Sequence, residues 1–355
     1  MPRLAVLLLL AGLALAVALT RGSASASDTG PDSATAASAA SDTGSDPGPG
    51  TAATPITLTA TLHTLAFGGT NRTYRAYTPT GPAARRPLLV VLHGRGQSAR
   101  AAISQTGFLP LVQRDQAVVI YPDGLDRSWN AGDGCCGVAA TRRVPDAGFI
   151  EAVVADALSA LPVDAGRVYL VGYSNGGKLG YSLACQRPAL FTAIATYGSV
   201  PLAACPAGTA PVPVLLAAGV RDTILPFAGA PRAHPPLPSD RAALTWLRTQ
   251  NRCVGAPVTA TAGRATTQHW NDCAAGSDIE SVVYPGVGHA WPTAATSGTP
   301  ALPDLMWAFL STHRSAPRLA ELAATPTSPA AAPASPATDG HPTSAAPPAR
   351  DHRDG

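Results

Sequence analysis

The chain has a single lysine, Lys178, and its 25 basic and 22 acidic residues leave a formal charge of only +3. No stripe of basic residues interleaved with aromatics occurs, so the electrostatic footprint of a nucleic-acid binder is missing. Past residue 19 no stretch is long and apolar enough to span a bilayer. The six cysteines contain no C-x-x-C pair, and no histidine stands at ligand spacing beside them, which argues against a zinc site. None of them lies near the N-terminus, so a lipoprotein-type anchor has no point of attachment. There is no internal repeat.

What is present begins with Met1-Pro2-Arg3, an apolar run from Leu4 to Leu19, and Ala24-Ser25-Ala26. A basic start, a short apolar core and an A-x-A site predict a secretory signal peptide over 1–26; the run is short for a membrane anchor. The expectation is a secreted protein, off the membrane once the signal is cleaved. Residues 27–55 and 314–355 are rich in Ala, Ser, Thr and Pro. They cannot bury enough apolar surface to offset the entropy of ordering, and are predicted to be disordered. The folded part is then 56–313, a length that suits one domain.

All six cysteines fall within it. An even number behind a signal peptide predicts an oxidised set. The preferred pairing is Cys253–Cys273 and Cys185–Cys205, with Cys135 and Cys136 joined to each other or rearranged. Spacing alone does not fix connectivity.

Two alternating runs, 56–63 and 72–79, flank Gly68-Gly69 and read as a hairpin. Short continuous apolar runs follow at 87–93, 117–122, 167–172, 192–198, 213–219 and 280–285. Such strands suit a sheet buried on both faces. Helix-like segments lie between them, at about 98–115, 147–160, 175–187, 240–250 and 303–313. The alternation predicts an α/β fold: a mostly parallel central sheet, helices on both faces and an antiparallel N-terminal edge hairpin. Ligands of such sheets bind beyond the carboxyl ends of the strands.

At one of those ends stands "GYSNG", residues 172–176. G-x-S-x-G places a nucleophilic serine on a sharp strand-to-helix turn, with glycines where the two backbones pass closely. Alone, the pentapeptide fits equally a turn whose serine caps a helix. Its partners narrow the choice. A serine nucleophile needs a base, and the base an acid, and in the fold that carries this elbow they follow in the order Ser, Asp or Glu, His. Asp222 lies just past the run 213–219, and His289 lies in a Gly-rich loop past 280–285. Read alone, each also fits a surface turn. Donors for a developing oxyanion are expected at the backbone amides of Asn175 and of Arg95, in the loop "HGRG", with Gly96 as the alternative to Arg95. His93 precedes the nucleophile, the wrong order for a base, and reads as a residue that fixes this loop.

As a set, "LLVVLHGRGQSA", "VVIYPDGLDRSWNAGDGCCG", "DAGFI", "RVYLVGYSNGGKLGYSLAC", "PVLLAAGVRDTILPFAG", "NRC" and "YPGVGHAWP" resemble secreted α/β-hydrolase esterases. The similarity is to extracellular polyhydroxybutyrate depolymerases and the related feruloyl and acetylxylan esterases, and spans nearly all of 70–313. It implies an α/β-hydrolase fold and a serine esterase without metal or cofactor, with Ser174 as nucleophile, Asp222 as acid, His289 as base and the Arg95 and Asn175 amides as oxyanion hole. Arg95 departs from the small or cysteine residues common in that loop and bears on substrate preference. The resemblance also puts Trp129 and Trp291 near the pocket, as candidate substrate contacts.

The leading reading is a secreted, monomeric carboxylic-ester hydrolase acting through an acyl-enzyme on polyhydroxybutyrate-type polyester or on feruloyl or acetyl esters of plant polysaccharide. The rivals are a non-catalytic module that binds a polymer or polysaccharide surface, and a peptidase or acyltransferase with the same three side chains.

Overall fold

The apolar runs pair into one ten-stranded sheet in the computed structural model, which describes residues 58–81, 84–297 and 300–315. The expected signal segment 1–26 and linker 27–55 lie outside the described residues, as does the expected tail beyond residue 315. In chain order the strands are β1 (Leu58–Phe67), β2 (Thr70–Pro79), β3 (Arg86–Leu92), β4 (Val118–Pro122), β5 (Val163–Tyr173), β6 (Ala193–Tyr197), β7 (Val214–Gly219), β8 (Val258–Ala262), β9 (Ala265–Trp270) and β10 (Ile279–Tyr284). Their order across the sheet is β1-β2-β4-β3-β5-β6-β7-β10-β9-β8.

The six strands from β4 to β10 in that order pair in parallel, and an antiparallel hairpin closes each end. Successive side chains of a strand point to opposite faces. Leu88, Val90 and Leu92 of β3 therefore join one core, and Leu89 and Val91 the other. Every residue of β3, β4, β6 and β7 is buried, which is why, Arg86 and Thr196 apart, their sequences read as apolar runs.

The helices are α1 (Ala99–Thr106), α2 (Leu109–Gln113), α3 (Gly137–Thr141), α4 (Asp146–Ala160), α5 (Asn175–Gln186), α6 (Asp240–Gln250), α7 (Ala294–Ser297) and α8 (Leu302–Ser311). α4, α5 and α6 cover one face; α1, α2 and α8 cover the other. Among the described residues, no helix is long and apolar enough to cross a membrane.

Two expectations need correction. The single helix expected at 98–115 is two, because Gly107 adopts φ 74° and caps α1 in the left-handed conformation. The segment 258–270, given no element by the sequence reading, forms the β8–β9 hairpin around Gly263 and Arg264. β8 lies at the edge and is almost wholly exposed, so it lacks the apolar signal of the central strands.

The cysteines join as Cys185–Cys205, Cys253–Cys273 and Cys135–Cys136. The first ties the end of α5 to the loop after β6. The second ties the loop after α6 to the loop after β9.

β3 and β5 are neighbours, yet the chain leaves β3 for α1 on one face and β5 for α5 on the other. The divergence opens a crevice at their carboxyl ends. The "HGRG" loop and Ser174 meet there.

Candidate active site

Ser174 follows the last residue of β5 and adopts φ 52°, ψ −114°, a strained left-handed backbone for a residue with a side chain. Its amide donates to the Tyr197 carbonyl at 2.9 Å, and its carbonyl accepts from the Lys178 amide at 3.0 Å. The flanking glycines are compulsory. A Cβ on Gly172 would lie 2.4 Å from Gly177 Cα, and one on Gly176 would lie 2.5 Å from the Leu92 carbonyl oxygen. With strand and helix backbones in contact, the serine side chain is turned out of the sheet.

Asp222 is the third residue of the loop after β7. Its Oδ1 accepts from the Ile224 and Leu225 amides at 2.8 and 2.7 Å, which leaves Oδ2 to pair with His289 Nδ1 at 2.7 Å. Burial pushes this carboxyl up, but the hydrogen bonds from His289, Leu225 and Ile224 outweigh burial and hold it below the usual range. An ionised Asp222 requires the proton on Nδ1. His289 Nε2 is then an acceptor, and it lies 2.9 Å from Ser174 Oγ.

The imidazole is held by its own backbone. Tyr173 Oη donates to the His289 carbonyl at 2.8 Å, and Tyr197 Oη donates to the Gly288 carbonyl at 2.5 Å. Both tyrosines stand on strands beside the elbow, so the sheet sets the height of the His289 loop. The sequence offers no signal for this role of Tyr173.

The oxyanion candidates divide. The Gly96 amide already donates to the Arg127 carbonyl at 2.7 Å, which removes it. The Arg95 amide has no acceptor among the described residues, and Asn175 supplies the first amide of α5, which has no acceptor within the helix. His93 fixes the loop. Its Nε2 accepts from the Gly124 amide at 2.9 Å, so Nδ1 carries the proton, 2.8 Å from the Gly94 carbonyl. Burial pushes its pKa down and keeps it neutral. His269 and His313 both pair with Asp278, at 2.7 and 2.6 Å, and take no part near Ser174.

A pocket of about 260 Å³ opens at Ser174. Its lining includes Arg95, Asn175, Lys178 and the Cys135–Cys136 bridge, together with Ile224, Leu225, His234 and Leu237. Of these, Lys178, the cysteine pair and the residues from Ile224 to Leu237 are not legible as pocket residues in the sequence. A larger cavity, about 540 Å³, lies elsewhere beneath the Cys185–Cys205 bridge and includes neither Ser174 nor His289.

The two tryptophans do not line the Ser174 pocket, contrary to expectation. Trp129 is wholly buried, and its indole N–H donates to the His93 carbonyl at 2.9 Å. Its backbone is clamped by the Asn175 side chain, which accepts from the Trp129 amide at 2.8 Å and donates to the Trp129 carbonyl at 2.9 Å. Trp291 is buried edge-on against Phe108, Tyr173 and Tyr197. Both are supports of the loops that carry the site.

One more buried contact extends this support. Arg72 donates to Asp146 Oδ1 at 2.8 Å, and the Asn130 amide donates to Asp146 Oδ2 at 2.7 Å. Asp146, in the motif "DAGFI", thus connects β2 and the first turn of α4 to the Trp129–Asn130 segment. Among the described residues, no group of three His, Cys, Asp or Glu side chains is arranged to hold a metal ion.

Residues 72–230 match the family model described as Esterase PHB depolymerase. Over 274 residues the chain is 30% identical to a Nocardia uniformis subsp. tsuyamanensis protein named "Putative esterase NocK", covering 69% of this chain and 77% of that one. It is 26% identical over 245 residues to feruloyl esterase C of Emericella nidulans, with 67% and 83% covered. An acetyl xylan esterase from Aspergillus awamori shares the fold, with a TM-score of 0.52 over 71% of this chain and 99% of that chain at 16% identity. The long likeness to esterases, together with a family match that contains the elbow, the "HGRG" loop and Asp222, makes the chain a member of the Esterase PHB depolymerase family, an esterase on an α/β-hydrolase fold.

Proposed function

We propose that the protein is a secreted serine carboxylic-ester hydrolase in which Ser174, His289 and Asp222 act as nucleophile, base and acid. One observation carries the reading: two hydrogen bonds in series, 2.7 and 2.9 Å, run from a carboxylate held ionised, through an imidazole, to a serine on a strained turn. His289 Nε2 takes the Ser174 proton as Oγ attacks the ester carbonyl. The Arg95 and Asn175 amides meet the oxyanion. His289 then gives the proton to the departing alcohol, and the acyl group stays on Ser174. Water, activated by the same imidazole, releases the acid. Asp222 holds the imidazole tautomer and balances its charge in both half-reactions.

The substrates that suit this family are polyhydroxybutyrate-type polyester and feruloyl or acetyl esters of plant polysaccharide. The N-terminal apolar segment and the fully paired cysteines of the described chain support secretion. The test is hydrolysis of a short-chain 4-nitrophenyl ester by the wild type and by Ser174→Ala. The variant should retain its circular dichroism spectrum and lose about a thousandfold or more in kcat. Unchanged turnover in Ser174→Ala would sink the assignment. A panel of hydroxybutyrate oligomer, methyl ferulate and acetylated xylan then ranks the substrates.

A further inference from the structure

The only lysine of the chain is buried beside the serine. Lys178 is 9% exposed and lines the Ser174 pocket. It stands one helical turn after Ser174, to whose carbonyl its amide is bonded, so its side chain leaves α5 about 5–6 Å along the axis from the nucleophile. Among the described residues the ammonium has no carboxylate partner. Among the described residues its only hydrogen-bond partners are the sulfurs of Cys135 and Cys136, at 3.7 and 3.9 Å, and sulfur is a weak acceptor. Asp133, on the same loop as those cysteines, lines an adjoining pocket with Lys178 but forms no ion pair with it among the described residues, and no Asp or Glu lines the Ser174 pocket. The charge that acts on it is another cation, Arg95, which lines the same pocket.

A buried cation without a counter-charge is costly, and evenly placed surface charge would not put the chain's single lysine here. Burial and the neighbouring Arg95 push the ammonium down to about 8, so at neutral pH it still carries its proton. The pocket therefore holds positive charge and N–H donors that, among the described residues, meet only two weakly accepting sulfurs.

We propose that Lys178 determines specificity for esters that bear a second, ionised carboxylate a few bonds from the scissile carbonyl, with Arg95 reinforcing the field at the pocket mouth. The inference rests on Ser174 as nucleophile. The carboxylate belongs either to the acyl group, as in a half-ester of a dicarboxylic acid, or to the alcohol, as at the free-acid end of a hydroxy-acid ester. Lys178 does not touch the reacting atoms. It binds and orients a remote group and excludes neutral competitors from that benefit.

The experiment uses the intact chain and two matched pairs. For the acyl arm, 4-nitrophenyl hydrogen glutarate is compared with 4-nitrophenyl pentanoate. For the alcohol arm, the butanoate ester of 3-hydroxypropanoate is compared with propyl butanoate. Each ratio of kcat/KM, anionic over neutral, is divided by the ratio of the hydroxide-catalysed rates. In one arm the wild type should favour the anionic ester about tenfold or more, the effect residing chiefly in KM. Lys178→Met should bring that ratio back to about one, and Lys178→Arg should keep part of it. A ratio at or below one in both arms of the wild type overturns the proposal, whether or not the variants fold. So does an unchanged ratio in a folded Lys178→Met. Either result leaves Ser174 in place as nucleophile, whereas hydrolysis of the neutral ester that survives Ser174→Ala overturns that assignment regardless of the ratio.

Discussion

The two loops that wall the Ser174 pocket end alike and are secured differently. The connection after β4, which carries α3, runs into α4, whose first residue is the buried Asp146; the loop after β7 runs into α6, whose first residue is the buried Asp240. Asp146 is met by Arg72 and by the Asn130 amide, so its charge is answered inside the protein. Asp240 has no ion pair among the described residues and faces the charge of Asp222. Burial pushes both carboxyls up, and Asp240, with Asp222 adding to the effect, reaches about 7. A buried carboxylate fastens a loop only if a cation or donor was buried with it. Without one, more of the loop's stability depends on pH.

The largest consequence falls on the first loop. Asp146→Ala leaves Arg72 buried at 4% exposure with its ion pair gone, and frees the Asn130 amide. Removing one partner of a buried pair typically costs 3–5 kcal/mol, about that much should be lost here, and urea unfolding reads it directly. Because Asn130 adjoins Trp129, which Asn175 clamps, kcat should fall as well in whatever fraction stays folded. A stability loss below about 1 kcal/mol would mean that Arg72 is not relying on Asp146, and the contrast between the loops would fail.

How much of this was readable beforehand follows from the distance over which each signal acts. The central strands declare themselves because burial on both faces favours a nearly continuous apolar run, and β3, β4, β6 and β7 have one but for Arg86 and Thr196. The elbow is legible because backbone contact at Gly172 and Gly176 admits no other residue, so local chemistry and tertiary geometry coincide. The β8–β9 hairpin left a weaker mark: Thr-rich alternation around Gly263, with no apolar run, since its strand lies exposed at the edge. Trp129 is ambiguous in the sequence because aromatic bulk in a loop near the site has two uses, contact and support. Only the Asn175 clamp, from 46 residues away, decides for support. Arg72 and Asp146 are 74 residues apart, and nothing local to either announces the other. Lys178 stands four positions from the serine in plain view, but its lack of a partner is a property of the folded pocket.

The next effect concerns the second loop and carries a sign. Asp240 has an unfolded-state value near 3.8 and a folded-state value raised to about 7. The native state therefore binds the proton more tightly, and stability is undiminished below about 3.8. It declines as pH rises and reaches its full loss above about 7. At full strength the interval corresponds to at most about 4 kcal/mol. Asp240→Asn removes the titration. The variant and wild type should unfold at similar temperatures near pH 4, and the variant should be the more stable by a few kcal/mol at pH 8. Asp146→Asn should show no such gain, because Arg72 is then left uncompensated. Parallel melting curves for wild type and Asp240→Asn across that range would erase the difference drawn between the two loops.

The smallest effect tests whether the second loop, loosely charged as it is, still shapes the pocket. Ile224 is 63% exposed, large and apolar, and lines the Ser174 pocket two residues after Asp222. Exposed side chains away from caps and ion pairs usually change stability by no more than about 0.5 kcal/mol, so Ile224→Ser should leave the unfolding midpoint nearly unmoved. Its amide, not its side chain, serves Asp222, so the carboxylate keeps its hydrogen bond at 2.8 Å. What should change is the preference for acyl length. Each methylene that packs on apolar surface contributes about 0.8 kcal/mol, a factor of three to four, and part of that surface goes with the isoleucine. The ratio of kcat/KM for 4-nitrophenyl hexanoate over acetate should drop several-fold while the acetate rate holds. Buried Leu225, one position on and 8% exposed, is the control. Truncating it to Ala should cost stability, about 2 kcal/mol or more, and so separate the part of this loop that packs from the part that meets the ester.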